Sequence, residues 1–215
     1  MVEKIETVII GGGQAGLSLS YYLNRAGREH IVLEKSSQVA DAWRNRRWDS
    51  FTLITPNWSF RLPGAEYTDS KPDGFMPKWE IVRRFEQYKL ENHMPVSFLT
   101  QVTRVEPMVD HFRYRIYTNN KNYESKNVIM ATGMFQKAKI PAYASQIPQD
   151  ILQIPSDAYR NPKALPPGAV LVVAQPNRAA RLRRSSTRQE GKYSCQQELL
   201  GVFPAATAVK TVMTG

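Results

Sequence analysis

The stretch TVIIGGGQAG, residues 7–16, decides the fold of this chain of 215 residues. Its first four residues are apolar or β-branched, which is typical of a short strand buried on both faces of a parallel sheet. The strand enters a loop, residues 11–16, that satisfies the pattern G-x-G-x-x-G. Apolar residues with helical spacing follow as far as Gly27, and a second apolar strand, residues 31–33, ends in Glu34. This order predicts a Rossmann-like unit of an α/β fold with a parallel sheet.

The loop has the composition that a bound diphosphate requires. Gly11 permits the tight turn out of the strand, Gly13 lets a pyrophosphate approach the backbone, and Gly16 allows the helix to pack closely on the strand. The helix start, at Gln14 and Ala15, offers unpaired N–H groups and the positive end of the helix dipole. An unrelated glycine-rich turn is the alternative, but it would not account for the helix, strand and acid that follow. We therefore predict a dinucleotide site at these five residues.

Glu34 is the acid that this kind of site requires. It stands 18 residues beyond Gly16, at the end of the second predicted strand. A carboxylate in this place can accept hydrogen bonds from ribose hydroxyls, and it would repel a 2′-phosphate.

The net charge of +10 is unevenly distributed along the chain. Residues 1–174 carry 22 basic and 17 acidic side chains, whereas residues 175–215 carry 7 and 2. Half of the excess therefore falls in the last segment. The charges of the first part are interspersed, which is more typical of a solvated surface than of a binding stripe.

Neither a membrane span nor a secretory signal is expected. No apolar run approaches the roughly 20 residues that cross a bilayer, and the first residues lack a basic segment followed by an apolar one. The single cysteine, Cys195, excludes an internal disulfide and fits a reducing compartment. We therefore expect a cytoplasmic protein.

Residues 8–35 and 41–56 resemble the FAD-binding half of the flavin-dependent monooxygenases, which include the flavin-containing, N-hydroxylating and Baeyer–Villiger types. In that family an acid and a basic neighbour end the second strand, as Glu34 and Lys35 do here, and a Trp-Arg pair, matched by Trp43-Arg44, approaches the flavin. The resemblance extends from about residue 5 to residue 174. It implies an enzyme in which NADPH reduces FAD, which then uses O₂ to oxygenate a small substrate.

The middle of the chain predicts a helix and a β-meander. Residues 77–95 place Ile81, Phe85 and Tyr88 on one helical face. Alternating residues with asparagine-rich turns then predict an antiparallel meander, and residues 128–131 predict a further buried strand.

The resemblance assigns roles to parts of this region. The family inserts such a meander into its FAD domain, and the residue equivalent to Val102 presents its backbone to the adenine. The stretch Ala131-Thr132-Gly133 corresponds to a segment that passes close to the dinucleotide and marks the exit toward the second domain.

Residues 135–168 are rich in proline and polar residues, so we expect a surface connector. The segment resembles the family's linker between its FAD and NADPH domains. The linker often has a histidine where this chain has Pro155, and in Baeyer–Villiger members that histidine belongs to the fingerprint of ketone oxygenation. Its absence disfavours that reaction and favours oxygenation of nitrogen or sulfur nucleophiles, or another flavin reaction.

Four domains or segments are predicted. They are a FAD-binding domain at 1–134, the linker at 135–168, the first strand of an NADPH-binding domain at 169–174, and a disordered basic tail at 175–215. The family has a second G-x-G-x-x-G directly after the strand at 169–174, but this chain continues QPNRAA. We therefore expect a second dinucleotide domain that is only begun, with no NADPH site.

The alternative is a non-catalytic nucleotide-binding protein, or one whose basic tail binds RNA, DNA or an acidic membrane. The arginines of the tail are not interleaved with aromatic residues, and no nucleic-acid motif accompanies them, which disfavours that alternative. The expected partner is a small-molecule substrate, and the oligomeric state is left open.

No metal site and no catalytic side chain is nominated. His30, His93 and His111 are scattered, and none has metal-ligand spacing with another candidate ligand. A flavin enzyme needs no such constellation, because the cofactor carries the chemistry.

A shift of reading frame near codon 174 would explain why residues 175–215 do not resemble the family. Permitted codons for residues 177–190, read two bases later, encode SGCQIAEELYQTG, which resembles the end of the family's second glycine loop and the helix after it. Sequencing the gene is expected to show an overlapping frame with this family-like translation. An intact longer frame without one would refute the hypothesis.

Overall fold

The computed structural model describes residues 2–133, 136–138, 140–173, 193–196 and 209–214. The chain forms two compact units. The first consists of residues 1–44 and 52–136, and the second of residues 45–51 and 137–215.

The first unit contains a six-stranded sheet among the described residues. The strands are β1 Val2–Ile10, β2 His30–Leu33, β3 Val96–Ser97, β4 Val102–Pro107, β5 Tyr114–Thr118 and β6 Asn122–Met130. Their order in the sheet is β3-β2-β1-β6-β5-β4. The strands β3, β2, β1 and β6 run parallel, and β6, β5 and β4 form an antiparallel meander at one side. The predicted α/β fold with a Rossmann-like sheet and a β-meander is therefore confirmed.

Three α-helices belong to the described part of the chain: α1 Gln14–Arg25, α2 Asp41–Asn45 and α3 Lys78–Glu91. Helix α1 is terminated by a glycine in the left-handed conformation two residues after its last residue, Gly27 with φ +61°. There Gly27 N–H donates to Asn24 O and Arg28 N–H to Leu23 O, which together form a Schellman motif. Helix α3 coincides with the helix predicted within residues 77–95.

One core cluster joins α1, α3 and the segment between α2 and α3. Phe85 is fully buried in it, and Tyr88 nearly so. Burial raises the pKa of the Tyr88 phenol, so its hydroxyl stays protonated and donates to Pro63 O at 2.9 Å. The members of this helix-side cluster are Leu17, Val39, Ala40, Leu53, Phe60, Leu62, Met76, Ile81, Val82, Phe85, Tyr88 and Met94.

A second cluster, the sheet cluster, belongs mainly to the strands. It consists of Ile5, Val8, Ile10, Leu33, Ile116 and Tyr123, with Val102 and Val105 packed against it. These residues come from β1, β2, β4, β5 and β6, so the cluster ties the meander to the parallel part of the sheet.

Strand β6 differs from the expectation. The sequence predicted a meander and a separate buried strand at 128–131. The structure instead has one strand of nine residues, which pairs with β1 along the whole of β1, from Val2 to Ile10. Its first half also pairs with β5, at Tyr123 to Ser125. The prediction that residues 128–131 are buried is wrong, because Met130 is 66% exposed and Val128, Ile129 and Ala131 are only half-buried. Strand β5 pairs with β6 only from Tyr123 to Ser125, so the second half of β6 has no β5 neighbour.

The second unit contains a four-stranded parallel sheet among its described residues. Its strands are β7 Leu152–Pro155, β8 Ala169–Val173, β9 Tyr193–Gln196 and β10 Val209–Thr214, in the order β7-β10-β8-β9. The three middle residues of β8 are buried. Strand β8 pairs with β10 at one edge and with β9 at the other, so neither edge of this apolar strand is left unpaired.

Two expectations for this region therefore change. The segment 135–168 is more than a surface connector, because it contributes β7 and the buried Tyr159. Within the segment 175–215, expected to be disordered, residues 193–196 and 209–214 form strands, and the remainder lies outside the described residues. The functional boundaries at 134, 168 and 174 stay predictions.

Residues 45–51 belong to the second unit through polar contacts. Asp49 N–H donates to Arg160 O at 2.8 Å, and the Asn161 amide donates to the Asp49 carboxylate at 2.7 Å. Trp48 and Phe51 pack edge to face beside them.

In the described part of the chain, no helix combines the length and the apolar character that a membrane crossing requires.

Replacing Phe85 with alanine tests the helix-side cluster. Phe85 is fully buried, so Phe85→Ala should lower the free energy of unfolding of the chain by about 3–5 kcal/mol, measured by urea titration. The matched control is Phe75→Ala, because Phe75 is 51% exposed and its loss should cost less than about 1 kcal/mol. Equal losses for the two variants would contradict the assignment of the core.

Candidate functional site

Gly11 lies where the carboxyl ends of three parallel strands meet. Its N–H donates to Leu33 O at 2.9 Å, and Ala131 N–H donates to Ile10 O at 2.8 Å. Gly11 has φ +114°, and a Cβ there would stand 2.5 Å from Ala131 O. Only glycine fits this conformation and this space, as the prediction for the turn required.

Gly16 allows α1 to lie directly against the loop. A Cβ at this position would stand 2.0 Å from Gly11 O, well inside the contact distance of the two atoms. Because the obstacle is a backbone atom and no flexible side chain, any larger residue must displace the helix. This confirms the predicted packing role of Gly16.

Gly13 is different, because a Cβ there would meet no atom within 4 Å. It is the residue before α1, and the first helical hydrogen bond runs from Leu17 N–H to Gly13 O at 3.0 Å. The N–H groups of Gln14, Ala15 and Gly16 therefore have no acceptor within the helix, and no side chain caps this end. An open backbone beside free N–H groups at a helix N-terminus suits an anion such as a phosphate.

The Glu34 carboxylate bridges the loop and the segment after β2. One oxygen accepts the Gly12 N–H at 2.7 Å, and the other accepts the Ser36 N–H at 2.9 Å. A carboxylate has about four acceptor positions, so two are left for further donors such as ribose hydroxyls. The structure therefore brings the predicted acid to the glycine loop and fixes its orientation.

Lys35 and the turn after β6 lie beside each other at this edge of the sheet. The Lys35 ammonium donates to the Gln136 side-chain oxygen at 3.2 Å, and the Gln136 amide donates to Thr132 O. Gly133 has φ +76°, a left-handed conformation that favours glycine. Ala131, Thr132 and Gly133 thus form a turn tied to the residue after Glu34.

Trp43 and Arg44 are held by packing and an ion pair. Trp43 packs against the helix-side cluster. The Arg44 guanidinium donates to the Glu86 carboxylate of α3 at 2.6 Å. Their approach to a flavin stays a prediction.

Val102 is the first residue of β4 and pairs with Thr118 of β5. It packs against the sheet cluster, which includes Ile10 and Leu33, the last residues of β1 and β2. Its contact with an adenine stays a prediction.

Sequence reasoning missed several residues that build this edge. They are Gly12 and Ser36, whose N–H groups orient Glu34, and a loop at residues 97–101 that contacts the end of β2. Backbone donors leave no trace in residue type, so no apolar pattern could have revealed them. The asparagine pair at 119–120, which contacts the same loop, was recognised as a turn signal only.

In the part of the chain that the structure describes, no group of three or more His, Cys, Asp or Glu residues could hold a metal ion. His30 is buried, with its ring nitrogens 2.7 Å from the Ser20 hydroxyl and 3.0 Å from Arg28 O. Such a pair of contacts is typical of a structural histidine.

The residues at this edge fit a dinucleotide. The loop provides an open backbone at Gly13 and no side-chain cap on α1, and Glu34 provides an oriented carboxylate one strand away. These are the three features by which a Rossmann-like unit binds a diphosphate and its ribose.

Comparison with known proteins agrees with this geometry. The profile of the family described as pyridine nucleotide-disulphide oxidoreductase matches residues 8–180. The protein named "Uncharacterized oxidoreductase CzcO" of Bacillus subtilis (strain 168) is 32% identical over 207 residues, which are 96% of this chain and 59% of that protein. Indole-3-pyruvate monooxygenase YUCCA8 of Oryza sativa subsp. japonica is 27% identical over 124 residues, 57% of this chain and 29% of that protein.

Solved structures share the fold. A flavin-containing monooxygenase from Stenotrophomonas maltophilia superposes with a TM-score of 0.81 at 21% identity, covering 99% of this chain and 78% of that one. A cyclohexanone monooxygenase gives a TM-score of 0.67 at 18% identity, covering 86% and 37%. The resemblance to flavin-dependent monooxygenases is confirmed.

The chain spans about three fifths of the length of the CzcO relatives that it matches, 59% for the Bacillus subtilis protein. With the family profile matching residues 8–180 and the Bacillus subtilis relative 32% identical over 96% of this chain, this chain belongs to the pyridine nucleotide-disulphide oxidoreductase family.

Proposed function

We propose that this chain is the FAD-binding part of an oxidoreductase related to the NADPH-dependent flavin monooxygenases, which oxygenate a small organic substrate with O₂. The observation that carries the proposal is the loop at the start of α1. Gly11 and Gly16 leave no room for a side chain, whereas Gly13 faces open space. The same short segment is thus tightly packed on one side and open on the other, as a diphosphate cradle must be.

Each part of the site has a role in this proposal. Gly11, Gly13, Gly16 and the N-terminus of α1 would hold the diphosphate, and Glu34 would accept hydrogen bonds from the adenosine ribose. The backbone of Val102 would face the adenine, and the other candidates would line the remaining site, namely Lys35, Trp43, Arg44, Ala131, Thr132 and Gly133. When bound, FAD supplies two-electron redox chemistry and the reaction with O₂.

The charge of Glu34 supports FAD rather than NADPH at this loop. Its carboxylate is fixed by the N–H groups of Gly12 and Ser36, so it cannot easily move away from the ribose position. A 2′-phosphate would meet this negative charge, whereas the free hydroxyls of the FAD ribose can donate to it.

A dithiol mechanism has little support in these 215 residues. Disulfide reduction by a cysteine pair requires two thiols, and the chain has one cysteine. The disulphide reduction in the family's name is therefore not the chemistry that we propose for this chain.

The sequence directly after β8 does not provide the family's NADPH-binding loop. The residues after β8 read AQPNRAA, without glycine and with a proline, and they lie outside the described residues. A backbone that must approach a diphosphate closely needs glycine at these positions. We propose that this chain binds FAD but is incomplete as an NADPH-dependent catalyst.

The substrate class rests on Pro155, which stands in place of the histidine that goes with ketone oxygenation. We propose a nitrogen or sulfur nucleophile, or another flavin reaction. A cytoplasmic location, supported by the single cysteine, is part of the same proposal.

Substitution of Gly13 tests the site without damaging the fold. Gly13→Ala adds a methyl group to open space in an extended conformation, with φ −88° and ψ −169°, so stability should not change. The methyl would lie where a diphosphate must approach, so the affinity for FAD should fall at least about tenfold. Flavin fluorescence titration and thermal unfolding measure the two quantities.

Gly16→Ala is the matched variant. Its methyl meets Gly11 O, so it should lower the free energy of unfolding by about 1–3 kcal/mol and lower FAD affinity as well. If the wild-type chain takes up no FAD, or if Gly13→Ala binds it as well as the wild type, the proposed site is wrong.

Reduction by NADPH tests the second part of the proposal. Stopped-flow mixing of the FAD-loaded chain with NADPH should leave the flavin oxidised over seconds, because the glycine loop for the hydride donor is missing. Dithionite is the control, since it should bleach the same sample without needing a nucleotide site. Bleaching by NADPH at about 1 per second or faster, within the range of intact enzymes, would contradict the expectation.

A further inference from the structure

The loop at residues 97–101, which begins at the last residue of β3, is joined by three backbone hydrogen bonds to the segment just after β2. Glu34 N–H donates to Ser97 O at 2.9 Å, Thr100 N–H donates to Glu34 O at 2.9 Å, and Leu99 N–H donates to Ser36 O at 3.1 Å. These bonds connect the loop to Glu34 and to Ser36, whose own N–H orients the Glu34 carboxylate. A displacement of the loop would therefore displace that acid.

Leu99 holds the loop in a strained conformation. Its φ is +52°, in the left-handed region that residues with a side chain rarely adopt. The Leu99 side chain is 60% exposed, so burial of that side chain does not account for the conformation. Strain of this kind persists only where neighbouring groups impose it, and it is frequent at ligand sites.

Two asparagines of the β5–β6 turn hold Leu99 in this left-handed conformation. The side-chain amides of Asn119 and Asn120 both donate to Leu99 O, each at 3.1 Å. The Asn119 side-chain oxygen accepts the Gln101 N–H at 2.7 Å, and Asn119 N–H donates to Gln101 O at 3.1 Å. Asn119 thus contacts the loop on both sides of Thr100.

The asparagines are themselves fixed. The Thr118 hydroxyl oxygen accepts the Asn120 N–H at 3.1 Å and the Lys121 N–H at 3.2 Å, and the hydroxyl donates to Lys121 O at 2.6 Å. This closes the turn between β5 and β6, so both amides reach Leu99 O from a rigid support. A chain of hydrogen bonds therefore runs from the meander, through Leu99, to Glu34.

We infer that Asn119 and Asn120 are positioning residues for the adenosine end of the nucleotide site, through the loop at 97–101. The inference rests on the proposed FAD site and adds to it a role for the β5–β6 turn, which carries none of the residues proposed above to contact the nucleotide. The two amides hold the strained Leu99 carbonyl, the loop holds the backbone at Glu34 and Ser36, and Glu34 receives the ribose.

The test is titration of the full chain with FAD and with ADP, which has the adenosine and the diphosphate but no flavin. The variants Asn119→Asp and Asn120→Asp remove the amide that donates to Leu99 O, and Asn119→Asp keeps the oxygen that accepts the Gln101 N–H. Each should weaken FAD and ADP by the same factor, about five- to tenfold, because the change acts at the adenosine end. Amide hydrogen exchange of residues 97–101 should become faster in the same variants.

Two controls separate positioning from general destabilisation. The Asn122 side chain makes no hydrogen bond to a described residue, so Asn122→Ala should leave both affinities unchanged. Tyr88→Phe removes one buried hydrogen bond in the helix-side cluster, so it should lower the midpoint of urea unfolding while leaving both affinities unchanged.

The outcomes are distinguishable. If the wild type binds neither FAD nor ADP, the proposed function fails. If the wild type binds both but the aspartate variants bind as tightly, or lose FAD affinity while keeping ADP affinity, the inference is wrong. It is also wrong if Tyr88→Phe weakens binding as much as they do, since affinity would then follow stability alone.

Discussion

The contact between Gly16 and Gly11 O is the constraint on which the site depends. A Cβ at position 16 would stand 2.0 Å from this oxygen, so α1 begins directly against the end of β1 only because there is none. This approach brings the N–H groups of Gln14 and Ala15 to the edge of the sheet where β2 and β6 also end. The cradle at Gly13 is therefore a result of helix-on-strand packing, and the loop needs no charged side chain to attract a phosphate.

Glu34 connects this cradle to the rest of the first unit. Its carboxylate accepts N–H groups from Gly12 and Ser36, and its backbone is hydrogen-bonded to Ser97 and Thr100. The residue thus joins the glycine loop, the segment after β2 and the loop before β4. Such an acid is oriented before any ligand arrives, which lowers the conformational entropy that binding must overcome.

The glycine loop, Glu34 and helix α3 were predictable because each has a local signature: a motif, a spacing or an apolar helical face. The loop at 97–101 was not, because its role depends on the left-handed Leu99 and on backbone donors that residue types do not reveal. The single strand β6 was missed for a related reason. Alternation of apolar residues indicates a strand, but it does not show that the same strand pairs in parallel with β1 and antiparallel with β5. Likewise β7 is short and lies in a proline-rich segment, so only its partners identify it.

Strand β6 has a consequence for how the chain acquires its structure during synthesis. Val2 pairs with Asn122 and Ile10 with Met130, so β1 gains this neighbour only after on the order of a hundred further residues have been made. Closing such a long loop is entropically costly, and pairings of this range slow folding. Until then β1 has only β2 as a close neighbour in sequence, and one of its edges stays open to other chains. Until β6 has been made, the nascent chain therefore exposes an unpaired strand edge of the kind that favours aggregation.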